Sequence, residues 1–128
     1  MSLRPLDALT RDSSPLTLET AAAFLARPGW SLVVVAGDAS QRPEAQDLAV
    51  VTRELSRRAP AGSQVGVLEG VDEEAQKQRF ELAAVPGLLF VKDGKVVSRI
   101  QRMQDWSVYQ RAADVLWGAA RKATEVAS

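Results

Sequence analysis

The 128-residue chain has no cysteine and no histidine. Without a thiol there is no disulfide, no thiolate nucleophile, no iron–sulfur ligation and no dithiol exchange. Without imidazole the usual zinc ligand sets and the commonest general base are missing too. Chemistry is left to carboxylates, lysines, serines, threonines and a single tyrosine, and few soluble enzymes are built that way. Excess charge is also lacking. Sixteen Lys and Arg balance sixteen Asp and Glu, so no global field gathers nucleic acid or anionic lipid. No run approaches the length of a membrane span. The N-terminal MSLRPLDALTRDSSP has no continuous apolar core and does not read as a secretory signal. The expected location is the cytoplasm, with no stable membrane insertion.

The composition that remains is 46% hydrophobic and 25% charged, ordinary for a globular chain. The length suits one domain over residues 1–128, large enough to fold without disulfides or metals. Residues 1–13 read as either a short helix or a loose arm. Pro15 to Leu18 reads as a short edge strand, and LETAAAFLAR as a helix stopped by Pro28-Gly29. Trp30 to Gly37 is an unbroken β-branched run, the pattern of a strand covered on both faces. Leu48, Val51 and Leu55 then recur at helical spacing. Pro43 suits the first turn of that helix, Glu44 and Asp47 complement its dipole, and Pro60 and Gly62 end it.

Gln64 to Gly70 is a second buried strand. Asp72 heads a third helix, DEEAQKQRFELAA. Leu88 to Val91 is apolar on both faces, Asp93-Gly94 signals a two-residue hairpin, and KVVSRI returns along an edge. Asp105 reads as the cap of a last helix, striped by Trp106, Tyr109, Ala113, Leu116 and Ala120. The order β-α-β-α-β-α-β-β-α predicts an α/β fold with a mixed central sheet flanked by helices.

That order, with AVPGLLFVKDGKVV after the third helix, resembles the thioredoxin fold across roughly residues 14–120. The resemblance implies a terminal β-hairpin plus C-terminal helix, and a cis peptide bond at Val85–Pro86. It also places the redox dithiol of that fold in GDASQRPE, Gly37 to Glu44, where this chain has no CxxC. Ser40 has no histidine to activate it, so no serine nucleophile replaces the thiols. Other motifs fail. Gly62, Gly66 and Gly70 are not followed by Gly-Lys-Ser/Thr, so there is no phosphate loop. Lys92, Lys95, Arg99 and Arg102 form a basic strip without interleaved aromatics; edge protection explains it better than nucleic acid.

The segment RIQRMQDWSVY, Arg99 to Tyr109, together with VPGLLFVKDGKVVSRI and the Gly29-Trp30 pair, is similar to the HyaE/HoxO/HupG family. These are thioredoxin-like accessory proteins of uptake [NiFe]-hydrogenase maturation. The resemblance implies a non-catalytic chaperone without cofactor, binding the hydrogenase small-subunit precursor and its twin-arginine leader beside a second accessory protein. A redox-inactive thioredoxin-like scaffold with another protein partner is the alternative. An enzyme built on Tyr109 or carboxylates would need converging acids with shifted pKa values.

The candidate binding residues follow from the same reading. In such folds the segment before the cis proline offers backbone groups to an extended peptide, here Ala84, Val85 and Pro86. Asp38, Glu44 and Asp47 stand at its rim, where carboxylates can meet arginines in bidentate pairs; complementing the helix dipole is the plainer role of Glu44 and Asp47. Gln104, Asp105 and Trp106 are further partner-facing candidates, against a plainer reading in which Asp105 caps a helix and Trp106 packs inward. Glu69, Asp72, Glu73 and Glu74 read as a solvated helix start.

Overall fold

In the run Trp30–Val35 (β2), Leu32 and Val34 point to one side of a sheet and Val33 and Val35 to the other, and all four are buried. Side chains alternate along a strand, so an uninterrupted apolar run needs cover on both faces. A computed structural model supplies that cover; it describes the backbone of residues 4–127 and side chains of residues 4–118. The elements are α1 (Pro5–Arg11), β1 (Ser14–Leu16), α2 (Ala21–Leu25), β2, α3 (Glu44–Ser56), β3 (Gln64–Leu68), α4 (Glu73–Phe80), β4 (Gly87–Lys92), β5 (Lys95–Gln101) and α5 (Trp106–Ala127). The sheet order is β1-β3-β2-β4-β5. β1, β3 and β2 run parallel, β4 is antiparallel to β2, and β5 is antiparallel to β4.

One face packs against α1, α3 and α5, with Leu6, Leu48, Leu55, Phe90, Tyr109 and Trp117 in the layer between. The other carries Phe24 and Leu25 of α2 and Phe80 of α4. Of the two readings of the N-terminus, the helix is the one that forms. Leu6 and Leu9 are buried, Pro5 occupies its first turn, and the Leu6 N–H donates to Gln46 Oε1 at 2.9 Å. The loose arm is therefore corrected: leucines three apart share one helical face and bury together.

The elements are mostly shorter than the sequence suggests. The first strand is Ser14–Leu16, leaving Leu18 in a loop, and the first predicted helix shrinks to Ala21–Leu25. Thr17 and Thr20 bond each other there, Thr17 N to Thr20 Oγ1 at 2.8 Å and Thr20 N to Thr17 Oγ1 at 3.2 Å. Such local bonds compete with helical ones. Pro43 sits at the cap of α3, one residue ahead of its first turn. Asp72 caps α4, accepting from the Ala75 N–H at 3.0 Å. That helix stops at Phe80 because Glu81 turns left-handed (φ 56°), and the Leu82 N–H closes back on the Lys77 carbonyl at 2.8 Å. Asp93 and Gly94 both take positive φ (49° and 84°), as a two-residue hairpin turn requires.

On α5 the buried line is Tyr109, Ala113 and Trp117. Trp106 and Leu116 only flank it, and Ala120 lies outside the described side chains. The Trp117 ring meets Phe90 at 5.2 Å between centroids and Trp30 edge-on at 6.4 Å. Its Nε1 is buried without a hydrogen-bond partner among the described residues. Removing the ring leaves a large cavity. Trp117→Ala is expected to lower unfolding stability by about 3–5 kcal/mol. Trp117→Phe should cost clearly less, because it keeps an aromatic ring and deletes an N–H that has no partner. Urea unfolding followed by circular dichroism compares the two.

Candidate functional site

The C-terminal ends of β1, β3, β2 and β5 open on the same side as the start of β4, so five loops converge there. After β2 the chain turns at Gly37, with φ +70°. The Gly37 N–H donates to Gln76 Oε1 at 2.9 Å, and its carbonyl accepts from the Gly70 N–H at 3.0 Å. Gln76 Nε2 in turn donates to the Gly70 carbonyl at 2.9 Å. A Cβ at position 37 would lie 2.6 Å from Glu73 Oε2 and 2.8 Å from Val85 Cγ2. Both the backbone conformation and the space therefore demand glycine.

Glu73 closes this loop. It accepts from the Asp38 N–H at 2.8 Å and takes a two-pronged contact from the Arg42 guanidinium, with Nη2 to Oε1 at 2.7 Å and Nε to Oε2 as the second prong. The Arg42 hydrogen bonds, followed by the Asp38 N–H, hold the Glu73 carboxyl down to about 2. The same bond raises Arg42. Where the sequence resemblance located a dithiol, the chain places an arginine–glutamate pair. Asp38 Oδ1 accepts from Ser40 Oγ at 2.6 Å and from Ser40 N at 3.2 Å. Ser40 therefore faces a carboxylate, with no imidazole to activate it.

Across from this loop the Val85–Pro86 peptide is cis. Val85 and Pro86 are both buried. Part of the turn's backbone is already engaged within the chain. Gln101 Oε1 accepts from the Ala83 and Ala84 N–H groups at 2.6 and 3.1 Å. The Pro86 carbonyl accepts from the Arg102 N–H at 2.7 Å. Arg102, itself left-handed at φ 63°, sends its guanidinium to Glu44, with Nη2 to Oε1 at 2.7 Å and Nε to Oε2 at 3.1 Å. Its carbonyl accepts from the Tyr109 hydroxyl at 3.2 Å, and that oxygen accepts from the Gln104 N–H at 3.2 Å. The Arg102 hydrogen bond lowers the Glu44 carboxyl, and burial raises the Tyr109 phenol.

The sequence-predicted residues thus have different fates. Glu44 is joined to the Pro86 turn, with Arg102 as the link. Asp38 is tied to Ser40 and, by its backbone, to Glu73. Asp47 is exposed on α3. Gln104 is exposed and donates from Nε2 to the Gln101 carbonyl at 2.8 Å. Asp105 is exposed just ahead of α5, its carbonyl accepting from Val108 N at 3.0 Å. Trp106 is half-buried, with the Arg58 guanidinium 5.1 Å over its ring. Glu44 is a lowered, ion-paired carboxylate, the opposite of a poised general acid. Among the described residues no cluster of candidate metal ligands occurs. Arg42, Glu73, Gln76, Gln101 and Arg102 are the organising residues that motif reading passed over. Their partners lie 31 residues away for Arg42 and 58 for Arg102, beyond any local signal. Arg102 was visible only as a member of a basic strip, and Glu73 only as part of a helix start read as solvated, which its pairing with Arg42 and the Asp38 N–H corrects.

Comparison with known proteins bears on this architecture. Residues 7–109 match the model of the family described as hydrogenase-1 expression protein HyaE. Hydrogenase expression/formation protein HupG of Bradyrhizobium diazoefficiens is 39% identical over 79 residues, 62% of this chain and 53% of that protein. Hydrogenase expression/formation protein HoxO of Cupriavidus necator is 39% identical over 90 residues, 69% of this chain and 56% of that protein. The chain spans little more than half the length of these curated relatives. Mitochondrial thioredoxin 3 from Saccharomyces cerevisiae, in its oxidized form, matches with a TM-score of 0.67 over 84% of this chain and 99% of its own, at 12% identity. That likeness is one of fold alone.

The Arg42–Glu73 pair makes stability depend on pH with a definite sign. The folded-state pKa of Glu73 lies below its ordinary value of 4.5. Its contribution is therefore complete above about pH 5 and is lost as pH falls towards 2. Glu73→Gln should flatten the stability profile within that window and leave the slope above pH 6 unchanged, as read by urea unfolding at stepped pH.

Proposed function

Because the chain belongs to the HyaE family of hydrogenase expression proteins, we propose that it is a non-catalytic chaperone of uptake [NiFe]-hydrogenase maturation. It holds the small-subunit precursor in the cytoplasm before export, and the twin-arginine leader is the segment assigned to the cis-proline end of the sheet. The observation that carries this reading is the loop at Gly37–Arg42. In a chain with no cysteine, that loop is locked to α4 by the Arg42–Glu73 pair and by Gln76. A peptide reaching it meets no group that exchanges sulfur. Binding to a chain in extended form needs only backbone pairing, neighbouring apolar surface and complementary charge. The acidic residues around this end supply the charge for arginines.

Calorimetric titration with the small-subunit precursor of a [NiFe]-hydrogenase, with and without its leader, tests the proposal. The expected result is binding at about micromolar Kd or tighter, lost when the leader is removed. Binding that survives leader removal would move the contact to the body of the subunit. No binding to either form would overturn the chaperone role.

A further inference from the structure

Next to the Gly37 loop, at the same end of the sheet, a shallow hollow of about 250 Å3 lies between the loop after β1 and the loop after β3. Leu18, Leu68 and Val71 give it apolar walls, and Glu19, Glu69 and Asp72 stand around them. Val71 is 84% exposed, the highest of the exposed large hydrophobic residues among those described. Among the described residues no lysine or arginine lines the hollow. The nearby cations are engaged elsewhere: Arg4 lies within electrostatic range of Glu69 but donates to Asp7 at 3.1 Å, and Lys77 pairs with Glu74 at 2.6 Å. Asp72 is held in place by the Ala75 N–H at 3.0 Å, and hydrogen bonding with its own N–H and with Thr17 lowers the Glu19 carboxyl. An apolar wall under anionic groups with no cation of its own complements one chemistry in particular: a large apolar side chain next to a positive one.

The sheet order sets the distance to the cis-proline turn. From β4 across β2 to the gap between β3 and β1 is about two and a half strand spacings, or about 12 Å. An extended peptide covers that in about four residues. The loop after β3 is also continuous with the Gly37 loop through the bond from Gly70 to Gly37.

We propose that this hollow is a second docking point, receiving a cationic residue and an adjacent large apolar residue of the same extended peptide that meets the Val85–Pro86 turn. The inference rests on the chaperone reading for the source of the peptide. It differs from that reading in placing the charge recognition at Glu19, Glu69 and Asp72, since Glu44 and Glu73 are already neutralised by Arg102 and Arg42.

The test uses fluorescence anisotropy with a labelled synthetic dodecapeptide carrying two adjacent arginines followed by leucines. Two companion peptides replace the arginines by glutamates or the leucines by serines. The full chain is compared with Glu69→Lys and Val71→Asp, both at exposed loop positions, with thermal melts confirming that each variant folds. The expected result is at least tenfold weaker binding of the arginine peptide to either variant, steep weakening with salt for the wild type, and a gain of glutamate-peptide binding by Glu69→Lys. The same variants are then titrated with the hydrogenase precursor. Precursor binding that is unchanged by both substitutions would overturn the hollow and leave the chaperone role standing. Binding of the arginine peptide through the hollow without any binding of the precursor would uphold the docking point and overturn that role. Failure to bind either would overturn both. Concentration-dependent dimerisation abolished by Val71→Asp, with no peptide binding, would reassign the hollow to a second copy of the chain.

Discussion

The close approach at Gly37 organises the functional end of this molecule. A strand end, a helix N-terminus and the cis-proline turn meet around one residue without a side chain. The Glu73 carboxylate and the Val85 methyl occupy the space that a Cβ would claim. Because that space is filled, the loop that follows has little freedom. Its amides at residues 37 and 38 are committed to Gln76 and Glu73, and Arg42 returns to the same carboxylate. The hydrogen bonds to Glu73 are charge-assisted and are stronger than neutral ones. The loop is consequently a rigid floor rather than a reactive elbow.

Arg102 does for the other side of the site what Glu73 does for this one. Its backbone N–H meets the Pro86 carbonyl, its carbonyl receives the Tyr109 hydroxyl, and its guanidinium grips Glu44. One left-handed residue thereby joins the proline turn, the start of α3 and the first turn of α5. Gln101 beside it occupies two amides just before the proline turn. The Ala83 and Ala84 N–H groups and the Pro86 carbonyl are therefore spent internally.

The chain belongs to the HyaE family, and these constraints suit the holding role proposed for it. Catalysis needs a group whose protonation or nucleophilicity is poised near neutral pH. The two carboxylates drawn into the site are instead stabilised as anions by arginines, and the buried phenol is pushed upwards. Ion pairs neutralise the carboxylates at the centre of the site, whereas Glu19, Glu69 and Asp72 stand at its flank around the hollow beside Val71.

Periodicity and turn chemistry were enough to read the strand and helix order, the Asp93-Gly94 hairpin, the Asp72 cap and the buried runs at residues 32–35 and 88–91. Those features depend on local rules: alternation along strands, helical spacing, and residues that tolerate positive φ. The absence of cysteine alone ruled out thiol chemistry. Element ends were less legible, since Thr17–Thr20 and Glu81–Leu82 are decided by side-chain and cap bonds that compete with the pattern. Whether residues 5–11 would dock was open until Leu6 and Leu9 found α3. The site's wiring was not legible at all. Asp38, Glu44 and Asp47 look alike in sequence, yet one turns back on Ser40, one is gripped by an arginine 58 residues away and one stays exposed on its helix. Electrostatic partners are chosen by proximity in space. Only the folded sheet, which brings loops from five parts of the chain to one end, decides which carboxylates are neutralised and which remain free to meet another molecule.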